Sequence, residues 1–322
     1  MSAQAEYNKF CCQGSVIKGL NWLKEKENGS SCIRKLIRRI ENRIFKEEPA
    51  LRLRTGIKWI RQVLKAYAGY YNQVLTLRLS HEIAEQKLAS RLVNCFPEAD
   101  SPDINKLEVF LQQKFAGIGW YFLGGITSPY RGPYIYESQR KQVFHVELPE
   151  TTRQLNVFFM ESFHSLSWLD YATFGKCGTG GWAKPDGLFC VSEKYDVSRE
   201  SFKVSYLKHE AQHFDDYERF PFLKTGCQSL LEFRAKLVEL IYAESVIGIS
   251  KFCNEAVADT AYPHLFASYR LVDLLARRLK TEKKHLEASE FFFSSVKSEA
   301  MRIYLENSSE LEAGNHIGSW LK

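Results

Sequence analysis

The chain has 322 residues, 45% hydrophobic and 14% aromatic, enough to build a core for one large domain or two ordinary ones. No apolar run reaches the length of a membrane span. Residues 1–7 lack the basic start and apolar stretch of a secretory signal, and the eight cysteines include no C-x-x-C pair, so zinc ribbons drop out and a cytoplasmic location with reduced thiols is expected.

The formal charge of +6 is unevenly spread. Residues 1–100 carry 18 Lys and Arg against 10 Asp and Glu, a net of +8, which leaves −2 for the remainder. This first third reads as all-helical. Residues 33–45 place Ile33, Leu36, Ile37, Ile40 and Ile44 on one helical face, and a second long helix runs through Ile57, Ile60, Leu64, Tyr67, Tyr71 and Val74. The basic side of the first of these is read as a solvated face. Nucleic acid, acidic lipid or an acidic substrate are the partners it would otherwise meet. Ser80-His81-Glu82 begins like a metal motif, but Glu85 stands where a second histidine belongs, so His81 is read as a helix-surface residue. The stretch 98–102 (Glu-Ala-Asp-Ser-Pro) marks the expected boundary between a basic helical region, 1–100, and a second domain, 101–322.

Strand signals follow. Residues 119–127 are rich in strand formers, 128–133 read as a turn, 134–136 return, and 142–148 alternate up to Pro149. Residues 155–160 suit a central strand, and Gly187, Leu188, Phe189, Cys190 and Val191 form a short strand. The glycine-rich segment 173–186 has neither the spacing nor the Ser/Thr of a P-loop and is read as a mobile loop beside a cleft.

The segment His209-Glu210-Ala211-Gln212-His213 reads H-E-x-x-H. On a helix, residues four apart share a face, so two imidazoles can hold one Zn²⁺ while the glutamate between them can take a proton from an activated water. Ser198 is the expected cap of this helix, Glu200 lies in its first turn, and Phe202, Tyr206, His209 and His213 form one stripe. The helix should stop before Pro221. A third ligand is needed. Residues 229–241 read as a second helix, and Glu232 is the ligand it offers, with Glu239 or Asp216 as substitutes. Arg234 and Lys236 are read as a solvated face.

With His209, Glu210 and His213 followed by Glu232 nineteen residues beyond His213, the chain resembles the gluzincins, zincin metallopeptidases with two histidines and a downstream glutamate on zinc. The resemblance spans about residues 115–280, its specific content resting on the two helices. Two positions depart from the pattern. Asp215 stands where zincins place an apolar residue, and Lys236 stands where some relatives carry an aspartate that braces a histidine, a duty Asp216 would take over. The resemblance implies an α+β zincin-like fold, a small mixed twisted sheet over the H-E-x-x-H helix and a ligand-bearing neighbour. It further implies that the sheet's edge, here residues 187–191 or the loop before them, pairs with an extended substrate. A downstream histidine or tyrosine stabilises the oxyanion in that family, and His264, at the start of a helix after Pro263, or Tyr269 are the candidates. Residues 282–322 read as further helix with Phe291, Phe292 and Phe293 packed, a loose end from Glu312, and no role for His316.

The function expected is zinc-dependent hydrolysis of peptide bonds in a peptide or protein substrate, with Glu210 as general base. Neither a membrane span nor a nucleic-acid partner is expected. The alternative is a non-catalytic zincin-fold binding or regulatory protein whose basic helices engage a partner or nucleic acid.

Overall fold

The computed structural model describes residues 2–314 except 47, 48, 50, 52, 100 and 289, with backbone alone at 287, 288, 290 and 291, so the readings of Phe291 and His316 lie outside the described side chains. The chain divides into two units, Met1–Ser138 with Met160–Thr179, and Gln139–Phe159 with Gly180–Lys322. Each has its own apolar core.

The first unit holds helices α1 (Ala3–Cys12), α2 (Val16–Glu25), α3 (Ser31–Ile44), α4 (Lys58–Leu75), α5 (His81–Cys95) and α6 (Ile104–Ala116). Local chemistry starts several of them. The side chains of Ser2, Ser30, Ser80 and Asp103 each accept a backbone N–H of the first turn. α3 buries Leu36, Ile37, Ile40 and Ile44, as its periodicity requires, and α4 buries Ile60, Leu64, Tyr67, Tyr71 and Val74 on the same logic. His81 is exposed and lies against the Tyr130 ring, 5.0 Å between centroids. Arg131 is buried, and a charge removed from water needs partners. It meets Glu108 at 2.6 Å, Glu85 at 3.1 Å and Asn105 at 3.0 Å.

The strands are β1 (Tyr121–Leu123), β2 (Ile126–Thr127), β3 (Tyr130–Arg131), β4 (Tyr134–Glu147) and β5 (Thr152–Leu166), then, after α7 (Ser167–Thr173), β6 (Gly181–Lys184) and β7 (Gly187–Val191). The main sheet has the order β1-β4-β5-β7-β6, and β2 pairs with β3. The segments 134–136 and 142–148, read as separate strands, are joined in one long strand, β4, that ends at Glu147. Of the two places read for the sheet's edge, β7 lies between β5 and β6 and is interior, whereas the loop before it supplies an edge strand, β6. Only the reading of that glycine segment as a mobile loop is therefore corrected, at 181–184. Glycine is required there: a Cβ on Gly181 would stand 2.3 Å from the Tyr206 ring and 2.2 Å from the Phe189 carbonyl oxygen. At the other end of the hairpin Lys184 pairs with Gly187 across Pro185-Asp186. Gly187 there has φ +144, and a Cβ would stand 2.4 Å from the Asn156 carbonyl oxygen.

The second unit continues with α8 (Glu200–Phe202), a π-helical stretch Lys203–Lys208, α9 (His209–Arg219), α10 (Gln228–Tyr242), α11 (Ile247–Glu255), α12 (Pro263–Arg278), α13 (Lys283–Ala288) and α14 (Glu290–Glu312). Ser198 does not cap this helical run. Its N–H and hydroxyl both donate to Asp196, and Arg199 occupies the cap position. The π stretch is the wider turn in which the His209 N–H reaches the Val204 carbonyl five residues back. α9 ends at Arg219, ahead of Pro221. α10 packs against α9, α12 and α14, and its small Ala235 is fully buried. No helix among the described residues is long and apolar enough to cross a membrane.

Candidate metal centre

His209 and His213 stand one turn apart on α9, and Glu232 reaches them from α10. The Nε2 atoms of the two histidines are 3.1 Å apart. The Glu232 carboxylate oxygens lie 3.6 Å from His209 Nε2 and 3.6 Å from His213 Nε2. Donors at ~2.0–2.1 Å from one zinc in tetrahedral array would be separated by about 3.3–3.4 Å. Among the described residues these three form the group that could hold a metal ion, and two imidazoles with one carboxylate is a donor set suited to zinc. The histidines are nearly buried, whereas Glu232 is half-buried, so the cluster meets solvent on the α10 side.

The electrostatics are those of a tightly coupled cluster. Burial alone would lower the His213 imidazole, but the Glu232 carboxylate bonded to it, with Glu210 and Asp216, overturns this and lifts it to about 9. Burial also opposes ionisation of Glu232, yet His213 and His264 hold it well below the usual carboxylate range. A metal must therefore displace a proton from His213, while Glu232 is already ionised. Zinc affinity should rise about tenfold per pH unit up to about pH 9 and then level off, as metal titrations across this range would show.

Glu210 is half-buried, and its side chain makes no hydrogen bond among the described residues. Burial pushes its carboxyl upward. The adjacent imidazoles His209 and His213 oppose the shift, and Glu232 and Glu239 add to it. Its affinity for a proton is thus raised beside the two histidines.

The brace on His209 comes from a residue read in the sequence as a substitute ligand. Glu239, two turns beyond Glu232 on α10 and buried, lies 2.7 Å from His209 Nδ1. That bond fixes the ring with Nε2 toward the cluster. Burial works against the Glu239 charge, but His209 and, more weakly, Lys251 and Lys236 bring its pKa down to about 2. His213 has no such brace, and its Nδ1 is buried without a hydrogen-bond partner among the described residues. Glu239→Gln should weaken zinc binding by about 10- to 100-fold with little loss of helix content, read by competition with a chelating dye.

Asp216 does not brace a histidine directly. It is fully buried and bonded to Arg234 Nε at 2.9 Å and to Gln212 at 2.8 Å. Arg234 in turn reaches Asn307 at 2.7 Å on α14. The solvated reading of Arg234 and Lys236 is therefore corrected, as both are fully buried. Lys236 Nζ meets Glu255 at 2.6 Å and His264 Nε2 at 3.2 Å. Asp215, in the position expected to be apolar, is buried beside Arg153 at 2.5 Å.

His264 stands at the start of α12, directly after Pro263, with 47% of its side chain exposed. Its Nδ1 lies 2.7 Å from Glu232, and its ring centroid is 6.3 Å from that of His209. Tyr269, further along α12, is stacked on Phe266. Tyr217, not singled out in the sequence, lies a turn beyond His213 with its ring stacked on that imidazole at 6.3 Å. The H-E-x-x-H spacing itself could have found it, one turn further along the same stripe. Gly187, Leu188, Phe189 and Cys190 are all buried in β7, with burial pushing the Cys190 thiol up to about 12. No protein-family model matches the chain, and no curated protein or solved structure matches it either.

Proposed function

We propose that this chain is a zinc-dependent peptidase of the gluzincin kind. The observation that carries the reading is the convergence of His209, His213 and Glu232 on one point, with the proton-accepting Glu210 between the two histidines. Bound there, zinc would acidify a water molecule and polarise a substrate carbonyl. Glu210 accepts the proton released by the attacking water and delivers it to the leaving amine. Glu239 holds the His209 ring in register. His264, at the exposed side of Glu232, becomes the donor to the developing oxyanion by exchanging its Glu232 bond when substrate arrives. An extended peptide adds to the open edge of β6, with Gly187, Leu188, Phe189 and Cys190 forming the strand behind it.

The test is zinc per chain by elemental analysis, wild type beside His213→Ala. Near-stoichiometric zinc that is lost in the variant, followed by cleavage in a peptide library, is the expected result. Absence of zinc from the wild type even after reconstitution would make the cluster a proton-sharing core and end the peptidase reading.

A further inference from the structure

The α4–α5 hairpin presents two features that its packing does not use. Leu77, in the turn between the helices, is 72% exposed and sits at φ +55, a region that disfavours a branched side chain. Its neighbours are fixed. The Arg78 guanidinium donates to the Phe45 carbonyl at 2.7 Å, Leu79 packs on the core, and Ser80 caps α5. Leu77 is thus held out in water by an anchored turn. Ile83, six residues further on in the first turn of α5, is 46% exposed.

Behind this apolar tip lies uncompensated positive charge. α4 has no acidic residue over its 18 positions, and Arg61 and Lys65 are exposed one turn apart on its outer side. Lys87 and Arg91 follow Ile83 at successive turns of α5, and Arg91 lays its guanidinium over Gly69, one turn beyond Lys65. Arg91 therefore reaches the α4 surface one turn from Lys65. None of these four cations is ion-paired among the described residues. On α5, Glu85 is taken up by Arg131, which leaves Glu82 as the exposed acid.

We infer that the α4–α5 hairpin is a docking surface for an anionic lipid bilayer, with Leu77 and Ile83 entering the headgroup layer and Arg61, Lys65, Lys87 and Arg91 facing the lipid phosphates. An apolar tip backed by cations is what such an interface rewards, through burial of apolar surface and attraction to negative lipid together. A phosphate backbone in water would use the cations and gain nothing from the two aliphatic side chains. The inference is independent of the metal centre.

The experiment is vesicle co-sedimentation of the full chain at physiological salt, comparing phosphatidylcholine with the same lipid carrying about 30% phosphatidylserine. Binding to the anionic vesicles is expected, with little to the neutral ones. Lys65→Ala with Lys87→Ala should weaken it on the order of 30-fold. Leu77→Ser with Ile83→Ser should weaken it at least about tenfold with unchanged circular dichroism. Equal binding to both vesicles, or none, overturns the inference. So does anionic binding that ignores the Leu77 and Ile83 changes and is competed by a short DNA duplex, which would make the hairpin a polyanion surface.

Discussion

Glu210→Gln is expected to lower peptide turnover by about 10²- to 10⁴-fold while zinc stays at its wild-type stoichiometry. Glutamine keeps the shape of the side chain but has no basic oxygen to accept a proton. Glu210 is not in the His209, His213 and Glu232 group that could hold a metal, so that donor set survives the change. Burial raises the Glu210 carboxyl, and a raised base is deprotonated only above its elevated pKa. The wild-type kcat should therefore fall with acid at a pH above the ordinary carboxylate range. Turnover that survives Glu210→Gln at full zinc content would remove Glu210 from the chemistry.

The largest effect on stability is expected from Arg234→Ala, a loss of about 3–5 kcal/mol. Arg234 and Asp216 are both fully buried, and the substitution strands the Asp216 carboxylate away from water. It also removes the link from α10 to Asn307 and Ser308 on α14, and the guanidinium that lies 4.6 Å from the Tyr304 ring centre. Since Gln212 joins Asp216 to Tyr304, the same network sets the seat of α9 and thus of His213. Urea unfolding measures the loss. Replacing both members, Arg234→Leu with Asp216→Leu, should cost less than the sum of the single changes, because no lone charge is left inside. A single change costing under about 1 kcal/mol would show that the pair is not sealed from solvent.

How far the sequence could be read depended on how local each determinant is. The pairing of His209 with His213 follows from helical spacing alone, and Glu232 from a second helix close behind. The burial of Arg234 and Lys236 was not legible, because their partners Asn307 and Glu255 come from other helices and charged residues face water by default. Glu239 was seen as a carboxylate near the site, but its role as a brace depends on how α10 is rotated against α9. The continuous β4 was hidden for another reason. Its middle, residues 138–143, is largely exposed and polar, so the alternation that marks a half-buried strand is interrupted there. β6 was hidden because close approach to Tyr206 demands glycine, a residue that weakens any strand signal.

The wide turn at Lys203–Lys208 bears on how this region compares with other chains. A π turn accommodates one more residue than an α turn in the same span, and each residue of an α-helix advances about 100° around the axis. Phe202 and the histidines therefore cannot be drawn on a single helical wheel, although both sides of the turn bury their apolar faces. An alignment that anchors on His209 and His213 will run one position out of phase upstream of the bulge. A one-residue gap between Phe202 and His209 restores the correspondence of buried positions, so a search pattern for chains built this way should allow that gap.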